Sequence, residues 1–292
     1  MQRLFMFVAA LSLVAPSSAV AQDRSETAGT RLVMHQQLAL LLNPMGAQHE
    51  LQVGLRAPLG PQDELLFGGA HAEAGVVSRV APIFAITGGY LEVSPLSFLV
   101  LRAEFTGNAL WPIGMDGAGY YGLEGYDSDV QSESLSGDAG GSATGWSVRL
   151  LAGLQGAIPV GDGRILLVDQ MSFQHVSMGD APYYYSAEHD LVLGQSDWVV
   201  QNDALVLAEI PAASDLLVRA GLYSNLRWVP ESGYVGHQLG PMVAVTFSDV
   251  SEEVESITPF VRGGYYTHHQ TRAEELTVLG GISISYDFGG VR

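Results

Sequence analysis

The chain has 292 residues, no cysteine, 31 acidic against 13 basic residues, and a net charge of −18. At 47% hydrophobic and 15% charged it is too apolar for intrinsic disorder. Without Cys it has no disulfide scaffold and no thiolate metal site. An acidic chain repels phosphate, which excludes nucleic acid as a partner.

In chain order, the first element is a targeting segment. Met1-Gln2-Arg3 is followed by an apolar run from Leu4 to Ala15 and then by Ala19-Val20-Ala21. A positive start, a short apolar run and an A-x-A site define a cleaved signal peptide over 1–21, with the cut before Gln22. Residues 22–30 are expected to form a short N-terminal periplasmic segment, and 31–292 the folded body. No later window approaches the ~20 apolar residues that a membrane helix needs.

From residue 31 the dominant period is two, the strand period. It is cleanest at the end, where Leu276, Val278, Gly280, Ile282, Ile284, Tyr286 and Phe288 alternate with Glu275, Thr277, Leu279, Gly281, Ser283, Ser285 and Asp287. The pattern predicts strands near 31–42, 47–57, 64–79, 82–93, 97–107, 146–158, 163–176, 197–210, 215–228, 234–248, 257–269 and 273–288. They are longer than the ~5–6 residues usual in soluble sheets. Their polar face is rich in Gly, Ser, Gln and Arg. Aromatic residues collect near strand ends at Trp111, Trp146, Trp198, Trp228, Tyr286 and Phe288. These features predict an all-β fold, a single transmembrane antiparallel barrel of about 12 strands.

The connections agree. Counting from the periplasmic side, 60–63, 94–96, 160–163, 211–214 and 249–256 face the periplasm, and the two longest connections, 108–145 and 177–196, both fall outside. Short periplasmic turns with long external loops are the asymmetry of bacterial barrels. Over its mature length the chain resembles Gram-negative outer-membrane β-barrel proteins. Tyr286-Asp287-Phe288 is similar to the aromatic last-strand signal that their assembly machinery reads, although Gly289-Gly290-Val291-Arg292 follow it. The resemblance implies outer-membrane lipid, lipopolysaccharide and that machinery as partners.

Charges facing lipid are costly, so the strand charges should point inward. By parity the lumen holds Arg56, Arg102, Arg149, Arg219, Arg227 and Arg262 facing Glu50, Glu73, Glu104, Asp203 and Glu209. This composition fits a narrow passive channel for small solutes whose charged wall sets selectivity. It also fits an interior closed by Arg–carboxylate networks. The acidic loop 108–145 carries Asp116, Glu124, Asp127, Asp129, Glu133 and Asp138. Asp127-x-Asp129 is a sparse cation pattern, and a solvated loop is the favoured reading. Glu188-His189-Asp190 and His268-His269 are too local to define a metal site. No cofactor is expected.

One motif points to chemistry. Gln170, Ser172 and Gln174 look inward, so Met171, Phe173, His175 and Ser177 look toward lipid. By the same parity Asp169 faces lipid too. His175-x-Ser177 resembles the His-x-Ser pair of outer-membrane phospholipase A and of lipid A deacylases, with Met178 where those families usually carry Asn. The resemblance implies Ser177 as nucleophile, His175 as general base, and Glu188 or Asn202 as the orienting group. The leading expectation remains a non-enzymatic, porin-like barrel. A lipid hydrolase and a structural or surface-binding barrel are the alternatives.

Overall fold

The computed structural model describes residues 29–43, 45–62, 64, 66–113, 119–128, 130 and 140–291. The expected signal peptide over 1–21, most of the expected 22–30 periplasmic segment, Asp116, Asp129, Glu133 and Asp138 lie outside the described residues.

Twelve strands close a barrel: β1 (Arg31–Leu42), β2 (Gly46–Pro58), β3 (His71–Ala81), β4 (Phe84–Leu96), β5 (Leu99–Leu110), β7 (Ala143–Val160), β8 (Gly163–Met178), β11 (Ser196–Ala213), β12 (Leu216–Val229), β13 (Tyr234–Ser248), β14 (Val254–His268) and β15 (Leu276–Gly290). Each pairs antiparallel with the next, and β1 closes on β15 with Gln37 opposite Ser283. Closure leaves no open sheet edge. An even count puts the start of β1 and the end of β15 at the same end of the barrel. Three short strands, β6 (Gly122–Leu123), β9 (Tyr183–Ser186) and β10 (Leu191–Gly194), form a separate sheet in the order β10-β9-β6.

The alternation separates two environments. Leu91, Phe105, Leu150, Leu222 and Leu276 point outward and are exposed. Trp146, Trp198 and Trp228 lie on the same outward face near the external strand ends. At the periplasmic end Tyr286 and Phe288 stack at 5.8 Å. The interior has two walls. On β2 to β7 it is ionic. From β8 round to β1 it carries the apolar cluster of Leu41, Leu166, Val168, Leu205, Leu207, Tyr223, Met242, Ala244, Phe260 and Leu279.

Two boundaries correct the sequence reading. The strand expected at 64–79 starts only at His71, and the first periplasmic connection is a loop rather than a tight turn. Gly60 and Gly69 take φ of 69° and 82° there. The Gln62 amide donates to Leu59 O and Ala70 O and accepts from Gly69 N–H, so it satisfies the loop locally. The external loop expected at 177–196 is also ordered differently: β8 runs on to Met178, and β9 and β10 form a hairpin.

Candidate functional site

Strand register builds the lumen wall from cross-strand ion pairs. Glu50 lies opposite Arg79, Arg56 opposite Glu73, Glu92 opposite Arg102, Glu104 opposite Arg149, and Glu209 opposite both Arg164 and Arg219. Arg79 is 2% exposed; its Nε donates to Glu50 at 3.0 Å and its Nη2 to Glu104 at 2.9 Å. Arg102 donates to Glu104 at 2.8 Å, Glu92 at 3.3 Å and Gln52 at 2.8 Å, and lies 3.9 Å over the Tyr90 ring. Arg149 is 3.9 Å from Glu104, and Arg56 donates to Glu73 at 2.7 Å. On the other wall Glu209 accepts from Arg164 at 2.5 Å and from Arg219 at 2.6 Å. Asp203 accepts from Asn225 at 2.7 Å, and Arg262 stacks on Tyr223 at 4.7 Å.

All of Arg56, Arg102, Glu104, Arg149, Asp203, Arg219, Arg227 and Arg262 face inward: Arg56, Arg102, Glu104, Arg149 and Arg219 sit in ion pairs, Asp203 and Arg227 are hydrogen-bonded, and Arg262 lies over Tyr223. Sequence reasoning missed Arg79, Glu92 and Arg164. Arg79 follows a stretch too rich in Gly and Ala to mark its faces, and the alternation of Glu92 with exposed Leu91 and Val93 was the available signal. Against the apolar wall lies a cavity of about 40 Å³ lined by Leu166, Val168, Leu205, Leu207, Met242, Ala244 and Phe260 together with Gln37, Arg219, Thr258 and Ser283.

The external mouth is filled by the small sheet. Tyr184 (1% exposed), Leu191 (1%) and Leu193 (0%) pack against Phe84, Leu110, Val199 and Val229 of the rim. Gly179 sets the entry with φ 58°, where a Cβ would meet the Tyr120 hydroxyl at 2.3 Å. That hydroxyl accepts from Ala181 N–H at 2.8 Å. Tyr126 donates to Asp197 at 2.8 Å, and the Gln270 amide donates to Tyr126 O.

The tip of the hairpin reaches inward. Fully buried Asp190 accepts from the Tyr185 hydroxyl, from Tyr266 at 3.2 Å and from Arg272 at 3.4 Å, and its carboxylate lies 3.1 Å from His269. Burial alone would raise its pKa, but His269 and Arg272 outweigh that and hold it below the usual carboxylate range. His189 donates from Nε2 to Gln174 Oε1 at 3.3 Å and accepts at Nδ1 from Ser186 at 2.8 Å, while Arg227 clamps its carbonyl. Burial pushes the His189 pKa down to about 4, assisted by Arg227, Arg149 and Arg79 against Glu188.

Of the residues of the alternative hydrolase reading, His175 and Ser177 share the outward face, and His175 Nε2 bonds Ser196 at 3.1 Å. Glu188 lies inside the mouth near Gln174, across the barrel wall from His175. Asn202 is held by Asp169 at 2.6 Å on the lipid side. Asp127 is exposed, and Asp129 lies outside the described residues. Among the described residues His71, Glu73 and Glu92 bring ligand atoms within 4.8 Å of one another. Arg56 and Arg102 already balance the two carboxylates.

A closed twelve-stranded antiparallel sheet, apolar outside, with one ionic and one apolar inner wall, is an outer-membrane β-barrel. No family model matches the chain, and no curated protein does. Among solved structures it is similar to the NanC porin, at 11% identity and TM-score 0.40, over 87% of this chain and 98% of that one. It is similar to the β-domain of the Bordetella autotransporter BrkA at 14% identity and TM-score 0.47, covering 89% and 100%. LpxR from Salmonella typhimurium matches at 8% identity and TM-score 0.47, covering 86% and 99%.

Proposed function

We propose that the protein is a channel of the Gram-negative outer membrane whose lumen is shut at rest, admitting small solutes only when the β6/β9/β10 lid leaves the mouth. The observation that carries this is the inward anchoring of the lid through Asp190 above a wall of paired charges. The apolar outward band would contact outer-membrane lipid and lipopolysaccharide. The Tyr286–Phe288 end of β15 would engage the assembly machinery. No cofactor and no enzymatic step enter this reading.

The test is planar-bilayer conductance of the refolded barrel, with heat-modifiable gel mobility as the check on folding. The wild-type chain is expected to be silent or to flicker. Asp190→Ala, or replacement of 183–194 by a short Gly/Ser bridge, is expected to give long-lived steps that scale with salt. Stable ohmic steps in the wild type, equal to those of both variants, would overturn the closed resting state. Silence of both folded variants would overturn the channel reading.

A further inference from the structure

The outward face of β12 to β14 carries a hydrogen-bonded chain that the lumen does not use. Ser224 on β12 lies 3.0 Å from His237 Nε2, and His237 Nδ1 lies 2.5 Å from Thr267 Oγ1. The Thr267 hydroxyl donates to the His237 carbonyl at 3.4 Å. In the tautomer with the proton on Nδ1, Thr267 accepts from the imidazole and Nε2 presents its lone pair to Ser224. Hydroxyl, imidazole and positioning group then stand in the order of an activated nucleophile.

Two further observations separate this chain from an ordinary polar contact. The ladder between β13 and β14 pairs His237 with His268 but Gln238 with Tyr266, so Thr267 is the extra residue of a bulge. Bulges re-aim side chains and are over-represented beside active sites. The surroundings are also outward and apolar: Leu222, Leu226, Val235, Leu239 and Tyr265 are exposed around the chain. His237 and Thr267 lie near the external ends of their strands. The second outward Ser–His contact, Ser196 to His175, lacks the orienting group, because His175 Nδ1 is buried without a partner.

We propose that Ser224, His237 and Thr267 form an esterase site on the lipid-facing wall, taking the acyl ester of an outer-leaflet lipid, with Ser224 and His237 catalytic and Thr267 positioning. Ser224 Oγ attacks the ester carbonyl carbon while His237 Nε2 takes its proton. The carbon–oxygen bond to the lipid alcohol breaks, and the imidazolium returns the proton to the departing oxygen. Interfacial water then attacks the acyl-serine with His237 as base, which releases the fatty acid and restores the Ser224 hydroxyl.

The experiment incubates the refolded full chain with mixed micelles of phosphatidylethanolamine and, separately, of lipopolysaccharide, and measures fatty acid released. A fluorophosphonate probe with peptide mapping reports the nucleophile. Release from one of the two lipids identifies the source of the ester. Ser224→Ala and His237→Asn are each expected to lower release at least about 100-fold with heat-modifiable mobility retained. Thr267→Val is expected to lower it about tenfold and to move the pH–rate profile, and Thr267→Ser to restore both. Release from neither lipid above the Ser224→Ala background, or undiminished release by a folded Ser224→Ala, would overturn the site. An unmoved pH profile in Thr267→Val would remove Thr267 from it.

Discussion

Arg79 bridges Glu50 and Glu104 at 2% exposure, so its guanidinium keeps two buried carboxylates apart. Arg79→Met leaves both charges buried and less well compensated, an error that costs about 3–5 kcal/mol. Urea unfolding in lipid vesicles, followed by tryptophan fluorescence, measures it. Arg79→Met combined with Glu104→Gln is expected to be less destabilised than the single variant, because one of the stranded charges is gone. Additive losses would show that the pair is not coupled. At this scale parity was enough to orient side chains. It placed Asp169 toward lipid despite the cost of a charge there, and the structure keeps it on that face, bonded to Asn202 at 2.6 Å. Parity could not say which inward charges would meet, since that depends on the register between strands.

The lid was invisible in the sequence for a reason that its composition explains. Its strands have two to four residues, and Leu191, Val192, Leu193 and Gly194 are all buried, so no alternation marks a face. Its third strand comes from 122–123, far from 183–194 in the chain, and both pieces need the barrel mouth to pack against. The Tyr-rich segment was therefore legible only as part of the external loop 177–196. Leu193→Ala removes a fully buried side chain and should cost about 2–5 kcal/mol of lid stability. Hydrogen exchange should speed up in β9 and β10 while β4, β11 and β14 stay protected, because the barrel ladder does not depend on the lid. Uniform loss of protection would mean that lid and barrel open as one unit.

The barrel itself was legible because its physics repeats: each strand must show one face to lipid and one to the interior, and all twelve expected strands are found. What the repeat does not encode is how the interior is filled, and the gating consequence follows from that filling. In the closed lid His189 is neutral, with a pKa near 4 against an ordinary 6.5. When the lid leaves the mouth the imidazole returns to water and to its ordinary value. Between these values the open state binds more protons than the closed one, so lowering the pH from 6.5 to 4 favours opening, and further acid adds nothing. Over the whole window this is worth roughly 3 kcal/mol. Asp190 does not contribute there, since its depressed pKa keeps it ionised, and its stabilisation of the closed lid is lost only below the ordinary carboxylate range. Single-channel recording with the external bath stepped from pH 7 to 4.5 should therefore show open probability rising by up to about tenfold per pH unit within the window. His189→Gln, which keeps a neutral hydrogen-bonding group at the lid tip, should flatten the response. A wild type indifferent to pH, or a variant that responds as the wild type does, would detach opening from this histidine.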